Sequence, residues 1–347
     1  MAKTYRVGIA GVVHGHVGTQ VRSWGETAQA EVVAIADANR DERARLVQRY
    51  ELDGARSYNT IGEMLATEEL DIISVCTTTA AHAEVVEIAA ARGVHSVVEK
   101  PLAVRLADAD RMVAAAGKYG VQIVTNYPIR WNRSAYSQAV RFVQEGGIGR
   151  PYEVRHRGGG PKPRAIDADP FFAWLYQPRF NGAGAFADYT CYGADLACDV
   201  LGAPASVYAL AGRWVRTDLI GDDNARMILQ YPQGVGMIEA TWTQFGNLPA
   251  STFFAGEAGT LAIHGDALTL YSADHPRGRP LTDLPPLVEE PTAMAHLVRC
   301  LEEGIPVATW AGIAAQRLVT EVMDAGLRSV ETGAAVRLPL PLPHLRG

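Results

Sequence analysis

Four short stretches carry side chains that can do chemistry. The first is Glu99-Lys100-Pro101, a charged pair set directly after the apolar residues Val97-Val98. A lysine at the end of a buried strand has its charge balance tuned by its surroundings. The same pair also fits a surface ion pair at a strand exit. Pro101 sets the direction of the departing chain, which a cis bond would fix. The second stretch holds Asp188, Tyr192 and Asp195, spaced four and three residues apart. On a helix these share one face. Removing hydride from a hydroxyl-bearing carbon requires a base for the hydroxyl proton. A free tyrosine titrates near pKa ~10, too high for a base at neutral pH, and an ammonium beside it lowers that value. Packing of Tyr192 in a core and exposure of Asp195 is the alternative.

The third stretch is GIAGVVHGHVG, Gly8 to Gly18, at the end of a first apolar run. A glycine turn after a first strand is where nucleotide-binding folds hold a pyrophosphate. Counted from Gly11, the G-x-G-x-x-G spacing fails, with Val13 and His16 at the second and third glycine positions. Gly11 permits the tight turn, and Gly15 and Gly18 take over part of the remaining task. Alone, the loop fits a dinucleotide site and a plain strand–helix turn equally. The fourth feature is Asp37, which ends the run EVVAIA. An acid there accepts hydrogen bonds from adenosine ribose hydroxyls and repels a 2′-phosphate, so it favours NAD over NADP. Arg40 keeps NADP open, and capping of the next helix is the other reading. In CTTTAAHAE, Cys76 to Glu84, Thr77 to Thr79 suit a helix cap and His82 in its first turn faces the same crevice, and on these residues alone a solvent-exposed cap with an incidental histidine is the favoured reading.

These residues need a scaffold, and the pattern around them supplies one. Apolar runs at 5–10, 31–36, 72–76, 95–98 and 121–125 alternate with amphipathic stretches at 41–50, 81–92 and 107–119. That alternation predicts parallel βαβ units, doubly wound, with ligands at the carboxyl ends of the strands. After residue 125 the pattern changes. Short strands are predicted at 151–156, 206–210, 225–229, 235–242, 251–255 and 260–263, divided by turns such as QYPQG and GEAG. Helices return at 292–303 and 311–332, and the end, LPLPLPHLRG, reads as a terminal strand or extended tail. The expectation is an α/β fold: a dinucleotide-binding domain over 1–125, and over 126–347 an α+β domain with a largely antiparallel or mixed sheet.

Composition narrows the function. Nearly half of the 347 residues are apolar, which supports a sizeable core, and the net charge of −6 with no basic stretch disfavours a nucleic-acid partner. No run reaches membrane-spanning length and the start has no apolar signal core. Four cysteines without C-x-x-C spacing read as reduced, cytoplasmic residues with no metal site. His14 and His16, two apart, suit a loop better than a helical metal pair. The long segment from Val154 to Gly182, with Arg164, Trp174, Tyr176 and Arg179, suits a lid or specificity wall. Tyr127 and Arg130, in NYPIRWN, lie where the chain crosses between domains; core packing is the alternative for each aromatic.

Taken in order, the glycine loop, Asp37, CTTTAAH, GVHSVVEKPLA, GAGAFADYTCYGADLACDVLG and GEAGTL resemble the Gfo/Idh/MocA oxidoreductases. The resemblance runs over nearly the whole chain, and Glu99-Lys100-Pro101 is its most specific part. It implies a Rossmann domain, an open sheet in the second domain, a nicotinamide cofactor, a sugar or polyol substrate and a homodimer or homotetramer. It answers the question of the loop: Gly11, Val13 and His14 lie near the pyrophosphate, with Asp37, Thr77, His82, Glu99 and Lys100 also toward the cofactor. The sequence departs from the family at two fingerprint glycines and at CTPN, which reads Cys76-Thr77-Thr78-Thr79. It also departs at D-x-G-x-H-x-x-D, where Thr190 and Tyr192 replace glycine and histidine. Some members also carry tyrosine there. The resemblance therefore implies Lys100, Tyr192 and Asp188 as the catalytic group. Tyr192 takes the hydroxyl proton, Lys100 lowers its pKa, and Asp188 orients the substrate or the lysine. Tyr127, Arg130, Arg164, Trp174 and Tyr176 are expected at the substrate. A non-catalytic sensor and a glycosidase that oxidises transiently with bound NAD are the competing functions on this fold.

Overall fold

The computed structural model describes residues 3–131, 134–161, 174–245 and 251–341; the expected substrate residue Arg164 lies outside them. Six strands form the first sheet: β1 (Tyr5–Ala10), β2 (Ala30–Ala36), β3 (Arg56–Tyr58), β4 (Ile72–Val75), β5 (His95–Glu99) and β6 (Ile123–Asn126). Their order is β3-β2-β1-β4-β5-β6, and every pair is parallel. The order reverses between β1 and β4, so the crevice at the carboxyl ends of those strands is the place for a ligand. β4 is buried along its whole length and β5 along all but its first residue. Burial on both faces is why they read as unbroken apolar runs rather than alternating ones. Helices α1 (Val17–Gly25), α2 (Arg40–Arg49), α3 (Ile61–Thr67), α4 (His82–Ala90) and α5 (Leu106–Tyr119) cover the sheet. β3, three residues with a polar start, has no apolar run to announce it.

α6 (Ala135–Gln144) leads into a second sheet of nine strands. These are β7 (Pro151–Gly159), β8 (Ser206–Gly212), β9 (Asn224–Tyr231), β10 (Gly234–Thr241), β11 (Ser251–Gly256), β12 (Gly259–His264), β13 (Ala267–Tyr271), β14 (Arg279–Leu281) and β15 (Val336–Arg337). The order is β14-β13-β12-β11-β7-β10-β9-β8-β15, antiparallel except where β7 meets β10. The short helix α7 (Pro178–Asn181) precedes α8 (Ala185–Leu201), and α9 (Ala293–Glu303) and α10 (Ile313–Thr332) lie between β14 and β15.

Helix α8 lies close on one face of this sheet because small residues line its contact. A Cβ on Gly193 would stand 2.6 Å from the Ile238 side chain of β10. α10 backs α8 and also reaches the first domain, where Arg317 bonds Asp110 at 2.6 Å and Asp324 bonds Arg105 at 3.1 Å, both partners on or beside α5. The opposite face of the second sheet has no helix against it within the described chain. It carries a cross-strand row of Tyr208, Ile228, Met237, Arg155 and Phe253.

Candidate active site

Strand β5 delivers Lys100 to the crevice, and the first turn of α8 delivers Asp188 to the same point. Both are nearly inaccessible, at 5% and 6% exposure. The Lys100 ammonium donates to Asp188 Oδ1 at 2.9 Å and to the Asp188 carbonyl at 3.0 Å. It also stands 4.9 Å from the centre of the Tyr192 ring, over its face. Burial works to lower the Lys100 pKa, but the Asp188 carboxylate overrides it and the amine is held well above its ordinary value. The Lys100–Pro101 peptide is cis.

The tyrosine behaves differently from the expectation. Burial pushes the Tyr192 pKa above that of a free phenol, and the attraction of Lys100 offsets only part of this. The lysine faces the ring while its charge is already matched by Asp188, so little of its field is left to stabilise a phenolate. Tyr192 is therefore a neutral phenol at neutral pH. Its ring meets the edge of Tyr127 at 5.6 Å and lies 6.5 Å from His156 of β7.

Helix α8 begins at Gly184 with no capping side chain of its own. Asp222, far along the chain, does the work: its carboxylate accepts from the backbone N–H of Gly184 and of Phe186, each at 2.7 Å. A Cβ on Gly184 would stand 1.8 Å from the Asp222 carbonyl oxygen, so only glycine fits this approach. Trp242, just beyond β10, is the other participant that sequence reasoning missed. Its indole N–H donates to Asp188 Oδ2 at 3.0 Å, and its ring packs on Tyr176 at 5.1 Å. A tryptophan at a strand end carries no local signal that it reaches a carboxylate 54 residues away.

Several expected ligand contacts are structural instead. Arg130 is fully buried, pairs with Asp195 at 2.5 Å and with Asp199, and stacks on Trp310. It is a core ion pair, not a substrate residue, because a buried guanidinium needs fixed carboxylates. Asp195 is correspondingly inside, not at the surface; burial raises its pKa to about 6 although Arg130 pulls it down. Glu99 is fully buried behind the crevice, where it accepts from Gln20, from Asn126 at 2.8 Å and from His16 at 3.0 Å. His82 is also fully buried, and its Nδ1 is bonded to the Leu102 carbonyl at 3.1 Å. It pins the loop after Lys100 rather than facing a cofactor. Thr78 and Ala81, which precede the first helical turns there, provide no side-chain cap. Tyr127 is fully buried against Tyr192, and Tyr176, its pKa pushed up to about 12 by burial, is nearly so.

The glycine loop retains a dinucleotide cradle. Gly11 has φ +84°, and a Cβ there would stand 2.7 Å from the Cys76 carbonyl, so the loop passes β4 at a distance only glycine allows. Asp37 Oδ2 accepts from the Val12 N–H at 2.9 Å and Oδ1 from the Asn39 N–H at 2.8 Å, tying the ends of β1 and β2 together. A cleft of about 290 Å³ lined by Gly11, Val13, Asp37, Asn59, Thr77 and Thr78 lies on one side of the loop. A second of about 540 Å³, lined by Val13, His14, Gly15 and Arg22 among others, lies on the other. His14 is buried and neutral, its pKa driven down to about 3 by burial. Trp174 crosses from the second domain to this loop: its indole donates to the Val13 carbonyl at 3.2 Å and its ring lies 5.5 Å from His14.

Residues 5–127 match the sequence profile of an oxidoreductase family with an NAD-binding Rossmann fold, and residues 136–262 match the Gfo/Idh/MocA C-terminal domain. This chain belongs to the Gfo/Idh/MocA family. Within it, the chain is 30% identical over 217 residues to a D-apiose dehydrogenase of Paraburkholderia graminis, covering 62% of this chain and 54% of that protein. It is 27% identical over 240 residues to a myo-inositol 2-dehydrogenase of Thermotoga maritima, covering 67% of each. The matched part thus spans about half to two thirds of these relatives. A levoglucosan dehydrogenase solved with NADH and levoglucosan superposes with a TM-score of 0.83 at 20% identity, over 97% of this chain and all of that one. That likeness establishes the Gfo/Idh/MocA fold through both domains.

Proposed function

We propose that the chain is an NAD-dependent dehydrogenase that oxidises a secondary hydroxyl of a sugar, an inositol or a related polyol, or reduces the matching carbonyl. The observation that carries this reading is the buried group of Lys100, Asp188 and Tyr192 at the end of β5, where the two domains meet. The sugar and inositol substrates named for its relatives support the substrate class. Bound dinucleotide supplies the hydride acceptor; Gly11, Val13, His14, Asp37 and Thr77 are the residues to hold it, and the carboxylate of Asp37 favours NAD over NADP. Lys100, kept protonated by Asp188, donates a hydrogen bond to the substrate oxygen and stabilises negative charge as it develops there. The phenolate fraction of Tyr192 receives the hydroxyl proton in oxidation, and the phenol returns it in reduction. Trp174 and Tyr176 bound the site on the side of the second domain.

The free thiols of Cys76, Cys191, Cys198 and Cys300 support a reducing compartment, the cytoplasm. The uncovered face of the second sheet supports a homodimer or homotetramer.

The test is a panel of sugars, inositols and glycosides offered with NAD and with NADP, read by nicotinamide absorbance. The expected result is NADH formation from a sugar or polyol, reduced about 10²–10⁴-fold by Lys100→Ala. Glycoside cleavage without net NADH would replace this reading by the glycosidase. Ligand binding with no turnover by either route would replace it by the sensor.

A further inference from the structure

We propose that His14, His16 and Glu99 form a binding site for one divalent transition-metal ion, of the zinc class, at the root of the glycine loop. One ligand atom from each of the three residues lies within 4.8 Å of the others. Two imidazoles and one carboxylate are a donor set that first-row divalent ions accept, with metal–ligand distances of about 2.0–2.2 Å. Closing the trio onto one ion requires a movement of about an ångström at these bond lengths. His16, whose side chain is about one-third exposed, has the freedom to make it.

The surroundings are those of a metal site rather than of a loose polar cluster. Glu99 is fully buried. Its Oε1 accepts from Gln20 and from Asn126, which orients the carboxylate and leaves Oε2 toward His16. The His14 ring is held against Trp174. Such outer partners are what fixes ligands in built metal sites. The charge also favours a cation. The nearby Lys100 ammonium is matched by Asp188, so the Glu99 carboxylate is the net charge of the pocket.

Access comes from behind the loop. A cleft of about 380 Å³, lined by His16, Thr19, Gln20, Asn126, Trp131 and Met294 among others, leads to His16 between α1, β6 and the start of α9. Three protein ligands leave a coordination position for water or an exchangeable oxygen ligand, and this cleft is where it would face. His16 stands at a position where the fingerprint has glycine, so the substitution that weakens the usual phosphate geometry is the one that brings a ligand to Glu99.

The experiment uses the untagged full chain, titrated with zinc and assayed for bound metal after dialysis. The expected result is one zinc per chain, lost in His16→Gln and in Glu99→Gln, and retained in His264→Gln, an exposed histidine far along the chain. Asn126→Ala should weaken zinc affinity about 10–100-fold, as removal of an outer partner does. Cobalt substitution of the unaltered protein keeps the test independent of whether the variants fold. Visible absorption bands of a coordinated ion support the site. No stoichiometric zinc and no cobalt bands in the unaltered protein overturn it, as does full binding in a folded His16→Gln.

Discussion

Asp188 is the residue around which the site is arranged. One oxygen holds Lys100 and the other is held by Trp242, so both groups are fixed in place, and the lysine directs its remaining N–H to the substrate oxygen. The pairing decides which group moves the proton. An ammonium held well above its ordinary pKa keeps its proton at neutral pH and cannot take another, so the hydroxyl proton goes to Tyr192, which accepts it only as the minor phenolate that its burial-raised pKa leaves. The sign follows directly. Oxidation draws on the phenolate, whose population rises with pH, so its kcat should climb through the neutral and alkaline range. Reduction draws on the phenol and should be flat at neutral pH and fall only in strong alkali. Tyr192→Phe should remove the alkaline rise and lower kcat about 10²–10⁴-fold. Profiles of kcat against pH in both directions check this; an oxidation rate already level across neutral pH would reassign the proton to another group.

At the scale of elements, helix α8 depends on a cap borrowed from the segment between β8 and β9. Asp222 satisfies two of the N–H groups that a helix start leaves unpaired. Asp188, four residues after Gly184, takes its position from that start. Asp222→Ala should cost about 0.5–2 kcal/mol, the usual range for a lost cap. Because the displaced turn carries Asp188, the same variant should lower kcat. Chemical denaturation and steady-state kinetics on one preparation separate the two effects. Unchanged kcat with reduced stability would show that the turn holds its place without the cap.

At the scale of the whole molecule, the face of the second sheet away from α8 has no helix over it among the described residues. Leu210 and Ile228 are 50% and 42% exposed there, beside Tyr208, Met237 and Phe253. Arg226 and Arg157 flank Glu239 in the neighbouring row. Apolar side chains gathered on one sheet face and rimmed by charge are suited to a second copy of the same surface. Light scattering should give a dimer or tetramer, and Ile228→Asp should shift it toward monomer. A monomer mass for the unaltered chain across the micromolar range would assign this face to another use.

The sequence by itself determined what local pattern encodes. Buried parallel strands announce themselves as unbroken apolar runs, so β1, β2, β4 and β5 and the placement of Asp37 and Lys100 at strand ends were legible. So was the shared face of Asp188 and Tyr192, because a helix repeats at fixed spacing. What the tertiary structure decided depended on partners remote in the chain. Arg130 looked available for a substrate until Asp195 and Asp199 were found against it. Glu99 stood beside Lys100 in sequence but turned to the interior, because neighbouring residues at a strand end point to opposite faces, and His82, at the start of its helix, turned in to the Leu102 carbonyl. The hold of Trp242 on Asp188 and the cap from Asp222 had no local trace at all. Even the direction of the Tyr192 pKa required the fold. Proximity of Lys100 predicted a decrease, but only the packed site showed that Asp188 had already taken the lysine's charge while burial acted on the phenol.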